Sequence, residues 1–208
     1  MRFSRCAGLV GAISLISFLT ACGVGKVFRT GFDHPLDGSV SADWTVSKVN
    51  VTVPDSLIIS EERTFEPQAD IVWREDPPGD RRAQIGAIMS KAVSTAAEGL
   101  EGQRSVVIDL AVTEFHAMTF EAEALNLDVG VHNIGFVLAV RDAGTGERLA
   151  GPALIDASFP AKTGRVMAEA RARGDSQKKQ IIRHVAQTIA AWLGTGPDNR
   201  TQFTRIGG

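Results

Sequence analysis

The 208-residue chain contains only two cysteines, Cys6 and Cys22, and both lie in its first 22 residues. From Gly23 onward there is no thiol, so this part of the chain can form no disulfide, redox motif or cysteine nucleophile. An excess of basic residues is also absent, because the formal net charge is −2. This balance disfavours a general binder of nucleic acid or anionic lipid, which would need a basic patch.

Long hydrophobic runs are absent as well. The apolar stretch from Cys6 to Phe18 is shorter than the roughly 20 residues that a membrane-spanning helix needs. A basic head, 1–5, precedes it and small residues follow it, which is the pattern of a secretory signal. The two alternatives are an uncleaved anchor and a freely secreted protein. The short run and the flexible, basic segment 23–29 disfavour the anchor.

The signal ends in Leu19-Thr20-Ala21-Cys22, which resembles the lipobox of bacterial lipoproteins. The resemblance implies that the signal peptide 1–21 is removed and that Cys22 is lipidated, with acyl chains such as palmitate on its sulfur and amine. In lipoprotein sorting, Asp after this cysteine favours retention in the inner membrane, and here the position is Gly23. The resemblance therefore implies a lipid-anchored envelope protein on the periplasmic leaflet of the outer membrane.

The remaining chain has the length of one domain with tails. Residues 22–43 are rich in Gly, Asp, Ser and Pro and are predicted to form a lipidated flexible tether. A single domain is predicted over 44–194, followed by a loose C-terminal tail over 195–208. The signal carries two arginines and no acidic residue, so 20 basic and 24 acidic residues remain from Cys22 onward, a net charge of about −4.

Several segments read as strands. Alternation of β-branched and polar residues over 44–53 predicts a half-buried strand. The nearly continuous apolar runs 105–113 and 133–141 predict central strands. The glycine-containing loop 142–147 predicts a hairpin leading to strands within 148–159. Shorter strands are predicted at 57–59 and 69–73.

Two helices are predicted from apolar residues at steps of three and four. The first follows Asp80 as N-cap and ends at Gly99. The second follows Asp175 as N-cap and ends at Gly194. The segment 165–173 fits either an irregular stretch or a short helix.

This order predicts an α+β fold, a largely antiparallel sheet packed by two helices in a two-layer sandwich. Over 46–193 the layout resembles small domains of envelope lipoproteins, including auxiliary lipoproteins of lipid-transporting ABC systems. The nearest resemblance is to uncharacterised domain-of-unknown-function lipoproteins of alphaproteobacteria. It implies export and a partner-binding role, and it implies no reaction.

Catalytic motifs are scarce. Gly144-Thr145-Gly146 lacks the Lys-Ser/Thr of a phosphate loop and is explained by the hairpin. No Gly-x-Ser-x-Gly elbow occurs. Asp109 is expected on the solvent face of its strand, because an unpaired buried carboxylate would be costly.

One cluster of the sequence holds metal-ligand residue types. It consists of Glu114, His116, Glu121, Glu123 and His132. Because its spacing matches no zinc motif, we expect these side chains on the surface, with His116 and His132 as weak candidate ligands and no cofactor.

Basic residues gather near the second helix, at Arg171, Arg173, Lys178, Lys179 and Arg183. They form either a solvated helix face or a contact for lipid headgroups or an acidic partner. Arg173-Gly174-Asp175 spells an adhesion tripeptide, but helix capping explains Asp175 without it.

The sequence therefore predicts no enzyme. It predicts a membrane-tethered lipoprotein that acts as a binding or assembly module, with an envelope protein as partner and no nucleic acid. The first alternative is an auxiliary subunit of a lipid or solute transport complex, with an apolar groove between sheet and helix. The second is an unrecognised hydrolase built on Asp109, His116 or His132.

Overall fold

The computed structural model describes residues 26–127 and 129–205. The strands are Lys26–Phe32 (β1), Trp44–Thr52 (β2), Ile71–Val72 (β3), Arg104–His116 (β4), Val131–Asp142 (β5), Arg148–Ala157 (β6), Phe159–Pro160 (β7) and Thr201–Arg205 (β8). The helices are Gly38–Ser41 (α1), Arg81–Ala96 (α2), Phe120–Glu123 (α3), Gly164–Ala172 (α4) and Gln177–Trp192 (α5).

The strands form one large open sheet in the order β2-β4-β5-β6-β1-β8, with β3 beside β4 and β7 beside β5. β2 and β3 run parallel to β4, and the other pairs are antiparallel. The predicted mixture of helices and a sheet is confirmed. The described residues contain five helices where two were predicted. The segment 165–173, which the sequence left as either irregular or helical, lies almost entirely within α4.

Alternation along the central strands explains the main core. On β5, Ile134, Phe136, Leu138 and Val140 are fully buried, as period 2 requires of one face. The long helices α2 and α5 pack against each other and contribute their apolar stripes to the same core. The body of the sheet is therefore stabilised by the residues that the sequence pattern identified.

The helix caps are partly as expected. The Asp80 carboxylate accepts a hydrogen bond from the Ala83 amide at 3.0 Å and caps α2, as predicted. α5 is capped by Ser176 and not by the predicted Asp175. Because α5 begins at Gln177, Asp175 lies one residue before the cap position, and its carboxylate accepts from Lys162 at 2.7 Å.

Both predicted flexible ends contain ordered elements. In the predicted tether 22–43, β1 pairs with β6 and β8, and α1 follows it. In the predicted tail 195–208, the edge strand β8 pairs with β1. β1 and β8 are more than 170 residues apart in the sequence, so local composition does not indicate that they pair. Buried Phe28 and Phe32 tie β1 to the domain.

The register places several chain segments at one end of the sheet, which we call the open end. There β4 finishes at His116, which pairs with Asn133 near the start of β5. β6 finishes at Ala157, which pairs with Thr30, so β1 begins beyond it at Lys26. Lys26 in turn pairs with Arg205, the last residue of β8.

Candidate binding cavity at the open end

A cavity of about 310 Å³ lies at the open end, beyond the last residues of β4. Its walls are mostly apolar. They comprise Phe65, Glu66, His116, Ala117, Met118, Thr119, Ala122, Leu125, Leu127, Val129, Gly130 and Val131. This volume is at the lower end of the range for small-molecule sites, which are typically apolar with a few polar groups.

Local capping shapes one wall of the cavity. After β4 ends, the Thr119 hydroxyl accepts a hydrogen bond from the Ala122 amide at 3.1 Å and starts α3. Met118, Ala122 and Ala161 then form a small apolar cluster separate from the main core. Glu121 and Glu123 were expected on the surface, and both are half-buried. Their segment forms α3 because Thr119 caps a helical turn whose Ala122 is buried.

Gly130 fits closely against the opposite wall. Its φ is +84°, and a Cβ at this position would collide with the Met118 thioether. Only glycine adopts this backbone conformation without strain while leaving Met118 in place. The turn into β5 therefore depends on a residue without a side chain.

The polar groups of the cavity are few. Burial lowers the pKa of His116, so its imidazole is neutral near pH 7 and offers one donor and one acceptor. Glu66 is exposed at the mouth, beside the exposed side chains of Phe65 and Leu127. The arrangement suits an apolar group that carries a small polar head.

Ion pairs hold the α3 wall to the start of α5. Arg171 on α4 donates to Glu123 of α3 at 2.7 Å and to Glu75 at 2.6 Å. Glu75 also accepts from the backbone amides of Gln177 and Lys178, at 3.0 and 2.6 Å. A carboxylate at this helix N-terminus satisfies donors that have no partner within the helix.

The predicted basic patch is therefore largely neutralised. Arg171 is paired as described above, Lys178 binds Asp76, and Arg183 binds Asp175 at 3.2 Å. Arg173 and Lys179 remain exposed. Lys179 and Arg183 border a surface groove of about 580 Å³ between α2 and α5.

The metal-ligand candidates are separated by the structure. His116 lines the cavity, whereas His132 is fully buried beneath Phe159, with ring centroids 4.8 Å apart. The expectation that His132 lies on the surface is wrong, because it belongs to the buried face of β5. Among the described residues, no group of three or more His, Cys, Asp or Glu side chains is placed to hold a metal ion.

A second histidine, half-buried His184, extends the stack. The His184 ring lies 4.3 Å from Phe159, and its Nε2 is 3.1 Å from the Thr30 hydroxyl. Burial lowers the pKa of His132 to about 3 and that of His184 to about 4. Both imidazoles are therefore neutral at pH 7. No hydrogen-bond partner for His132 Nδ1 is found within the described part of the chain.

Asp109 is half-buried and paired. Its carboxylate accepts from Arg141 Nε at 2.5 Å and from Asn50 Nδ2 at 2.7 Å. The hydrogen bond from Arg141 holds the pKa of Asp109 below its usual range. The residue is thus ionised within a cross-strand pair, on the face opposite the main core.

The hairpin prediction at 142–147 agrees with the contacts in the loop. The Asp142 carboxylate accepts from the Gly144 and Thr145 amides, each at 2.9 Å. These bonds, together with one from Arg104, hold the pKa of Asp142 at about 2. Gly144-Thr145-Gly146 is therefore a turn.

Sequence reasoning identified His116 but missed the apolar walls. Met118, Leu125, Leu127 and Val129 lie between two strong strands without a strand-like alternation. Large apolar residues in a segment between two strands were the available signal. Cys22, the proposed lipidation site, lies outside the described residues.

Within the described residues, no helix has both the length and the apolarity that crossing a membrane requires. The sequence profile described as "family of unknown function (DUF6778)" matches residues 44–208. The match leaves out β1 and α1. No curated protein matches the chain.

Two solved structures show a distant likeness. The PelC dodecamer from Paraburkholderia phytofirmans is 16% identical, with 84% of this chain and 100% of that chain covered and a TM-score of 0.35. A Caulobacter crescentus CB15 protein, provisionally described as a lipoprotein, is 14% identical, with coverage of 77% and 98% and a TM-score of 0.33.

Proposed function

The chain belongs to the family of unknown function DUF6778, and we propose that it is a lipid-anchored, non-enzymatic binding module of the cell envelope. The anchor is Cys22 in the lipobox-like Leu19-Thr20-Ala21-Cys22. Gly23 after it favours the periplasmic leaflet of the outer membrane. The partner is an envelope molecule that presents an apolar group.

The observation that carries this proposal is the apolar cavity at the open end. A soluble domain normally fills such space with its own side chains, as the main core of this protein does. Here about 310 Å³ stays open between Met118, Leu125 and Val131. Exposed Phe65 and Leu127 extend the apolar surface to the mouth, which is typical of a binding site.

The contacts of the titratable groups support a non-enzymatic role. Asp109 is held by Arg141, and His132 lies in a buried aromatic stack. Asp109 and His116 are seven residues apart on β4, a separation of about 23 Å along a strand. They are too distant to act on one reacting atom, so the hydrolase alternative has little support.

The same cavity favours one second candidate, an auxiliary subunit of a lipid or solute transport complex. In that role the cavity would receive an acyl chain or an apolar solute. The apolar site lies at the end of the sheet, whereas the sequence placed a groove between sheet and helix. That inner space is filled by Ile88, Ile181 and their neighbours.

The anchor has a direct test in Cys22→Ser. Two or three acyl chains, at about 0.8 kcal/mol per buried methylene, give stable attachment, whereas one chain is marginal. We expect the variant to accumulate as an unprocessed precursor without incorporated radiolabelled palmitate. Normal labelling of the variant would refute the anchor.

The binding role is tested with the soluble fragment 24–208 and the uncharged fluorophore N-phenyl-1-naphthylamine. We expect saturable binding of one probe per protein and its displacement by octanol. Ala122→Phe fills the cavity from its α3 wall and should abolish binding. Ala87→Phe makes the same change on the exposed face of α2 and should leave binding intact. Equal binding by both variants would contradict the proposed site.

A further inference from the structure

The chain between the proposed anchor and the sheet is very short. β1 begins at Lys26, four residues after Cys22. Four residues span at most about 14 Å, even when fully extended. If Cys22 is acylated, the lipid surface therefore lies within this distance of Lys26.

Lys26 lies at the open end of the sheet. It pairs with Arg205 at the end of β8, and Arg205 lines a second cavity of about 420 Å³ together with Leu127 and Val166. The positive charge of Lys26 also contributes to the lowered pKa of His116, which lines the first cavity. If Cys22 is acylated, the short anchor therefore keeps this end of the sheet near the lipid.

The open end carries exposed apolar side chains from three separate segments. Phe65 is 63% exposed, Leu127 59% and Val166 56%. Phe65 and Leu127 share the first cavity, and Leu127 and Val166 share the second. Large apolar side chains gathered at one place on a surface indicate an interaction site.

Two other exposed apolar side chains, Leu154 and Val40, lie away from this end. Leu154 pairs with Val137 in the middle of β5. Val40 is in α1, whose Ser41 hydroxyl donates to the Leu193 carbonyl just beyond the C-terminal end of α5, at 2.7 Å. These two residues provide matched positions that the short anchor does not bring to the membrane.

We propose that the open end docks on the lipid surface, with Phe65, Leu127 and Val166 inserted at the level of the headgroups and the first cavity facing the acyl chains. This inference rests on the proposed anchor at Cys22. Apolar and aromatic side chains are stabilised at this depth because their apolar parts leave water. The short reach from Cys22 favours lipid over a protein partner at this surface.

The scarcity of cysteine allows a label to be attached at a single chosen position. In the mature lipoprotein Cys6 has left with the signal and the Cys22 sulfur is acylated, so one introduced cysteine is the only reactive thiol. The full chain, expressed with its signal, is prepared as Leu127→Cys, Val166→Cys, Leu154→Cys or Val40→Cys. Each is labelled with an environment-sensitive fluorophore and reconstituted into dioleoylphosphatidylcholine vesicles that contain a lipid with a nitroxide on its acyl chain.

We expect the protein to float with the vesicles, and the nitroxide to quench labels at 127 and 166 several-fold more strongly than labels at 154 and 40. Flotation with equal or weak quenching at all four positions would overturn the docking and leave the anchor standing; the open end would then be free for a protein partner. Failure to float would refute the anchor and the docking together.

Discussion

The body of the sheet and its open end differ in where their apolar side chains lie. In the body, Ile108, Leu138 and Ile155 are fully buried in the core to which α2 and α5 contribute. At the open end, Phe65 and Leu127 are exposed around a cavity that no side chain of the described protein fills. The body therefore supplies stability, and the open end retains the surface for a ligand.

The polar groups show the same division. Around the cavity, the ion pairs of Arg171 with Glu75 and Glu123 add to the apolar packing of Met118 and Ala122. Such pairs fix geometry and add modest stability when they are partly solvated. The open end is thus held in part by ion pairs, whereas the body is held by apolar burial.

The largest expected effect is acid destabilisation through the histidines at the boundary of the two regions. The pKa of His132 is lowered to about 3 and that of His184 to about 4, so below pH 6.5 the unfolded chain binds protons that the folded chain does not. Each histidine then removes about 1.4 kcal/mol of stability per pH unit between pH 6.5 and about 4. Denaturant unfolding between pH 7 and 4.5 measures this slope.

A matched variant isolates the histidine contribution. His132→Phe keeps a ring against Phe159 and removes one titrating group, so the slope should fall by about half. Identical slopes in the wild type and in His132→Phe would show that other groups control the acid response.

The next effect compares one apolar truncation in each region. Ile189→Ala in the body should cost about 2–5 kcal/mol, because the side chain is fully buried and leaves a cavity. Leu127→Ala at the open end should cost less than about 0.5 kcal/mol, as exposed positions usually do. Free energies of unfolding from urea titrations measure both. Similar losses would erase the distinction between the two regions.

A smaller effect is expected from the ion pairs of Arg171 at the open end. Arg171→Met leaves Glu123 without its ion-pair partner and should cost about 1–3 kcal/mol. It should also weaken binding of the fluorescent probe, because the α3 wall is less firmly held. Arg173→Met, two residues away and exposed, should change neither quantity. If Arg171→Met changed neither stability nor probe binding, the α3 wall would not depend on these ion pairs.

The sequence predicted the body well because the signals there are local. The apolar runs of β4 and β5, the Asp80 cap and the 142–147 hairpin each act within a few residues, and each is present in the structure. The histidines were harder to place. His132 lies one residue before the predicted strand 133–141. In the structure β5 already begins at Val131, so His132 belongs to the strand and lies on its buried face.

The open end was largely beyond prediction because it is built from distant segments. Phe65 and Leu127 line one cavity although they are more than 60 residues apart, and β1 pairs with β8 from the other end of the chain. Glu75 and Arg171 are likewise far apart in sequence, so the predicted basic patch gave no sign of its acidic partners. Composition identified polar segments there but not what they pair with.

The cavity is expected to bind an apolar group while the body alone maintains the fold. The most direct measurement is the gain in unfolding free energy when octanol is added to fragment 24–208. A ligand at 100 times its Kd stabilises the folded state by about 2.7 kcal/mol. We expect this gain in the wild type and in Ile189→Ala, despite its lower baseline, and no gain in Ala122→Phe. An equal gain in Ala122→Phe, or none in the wild type, would contradict the claim.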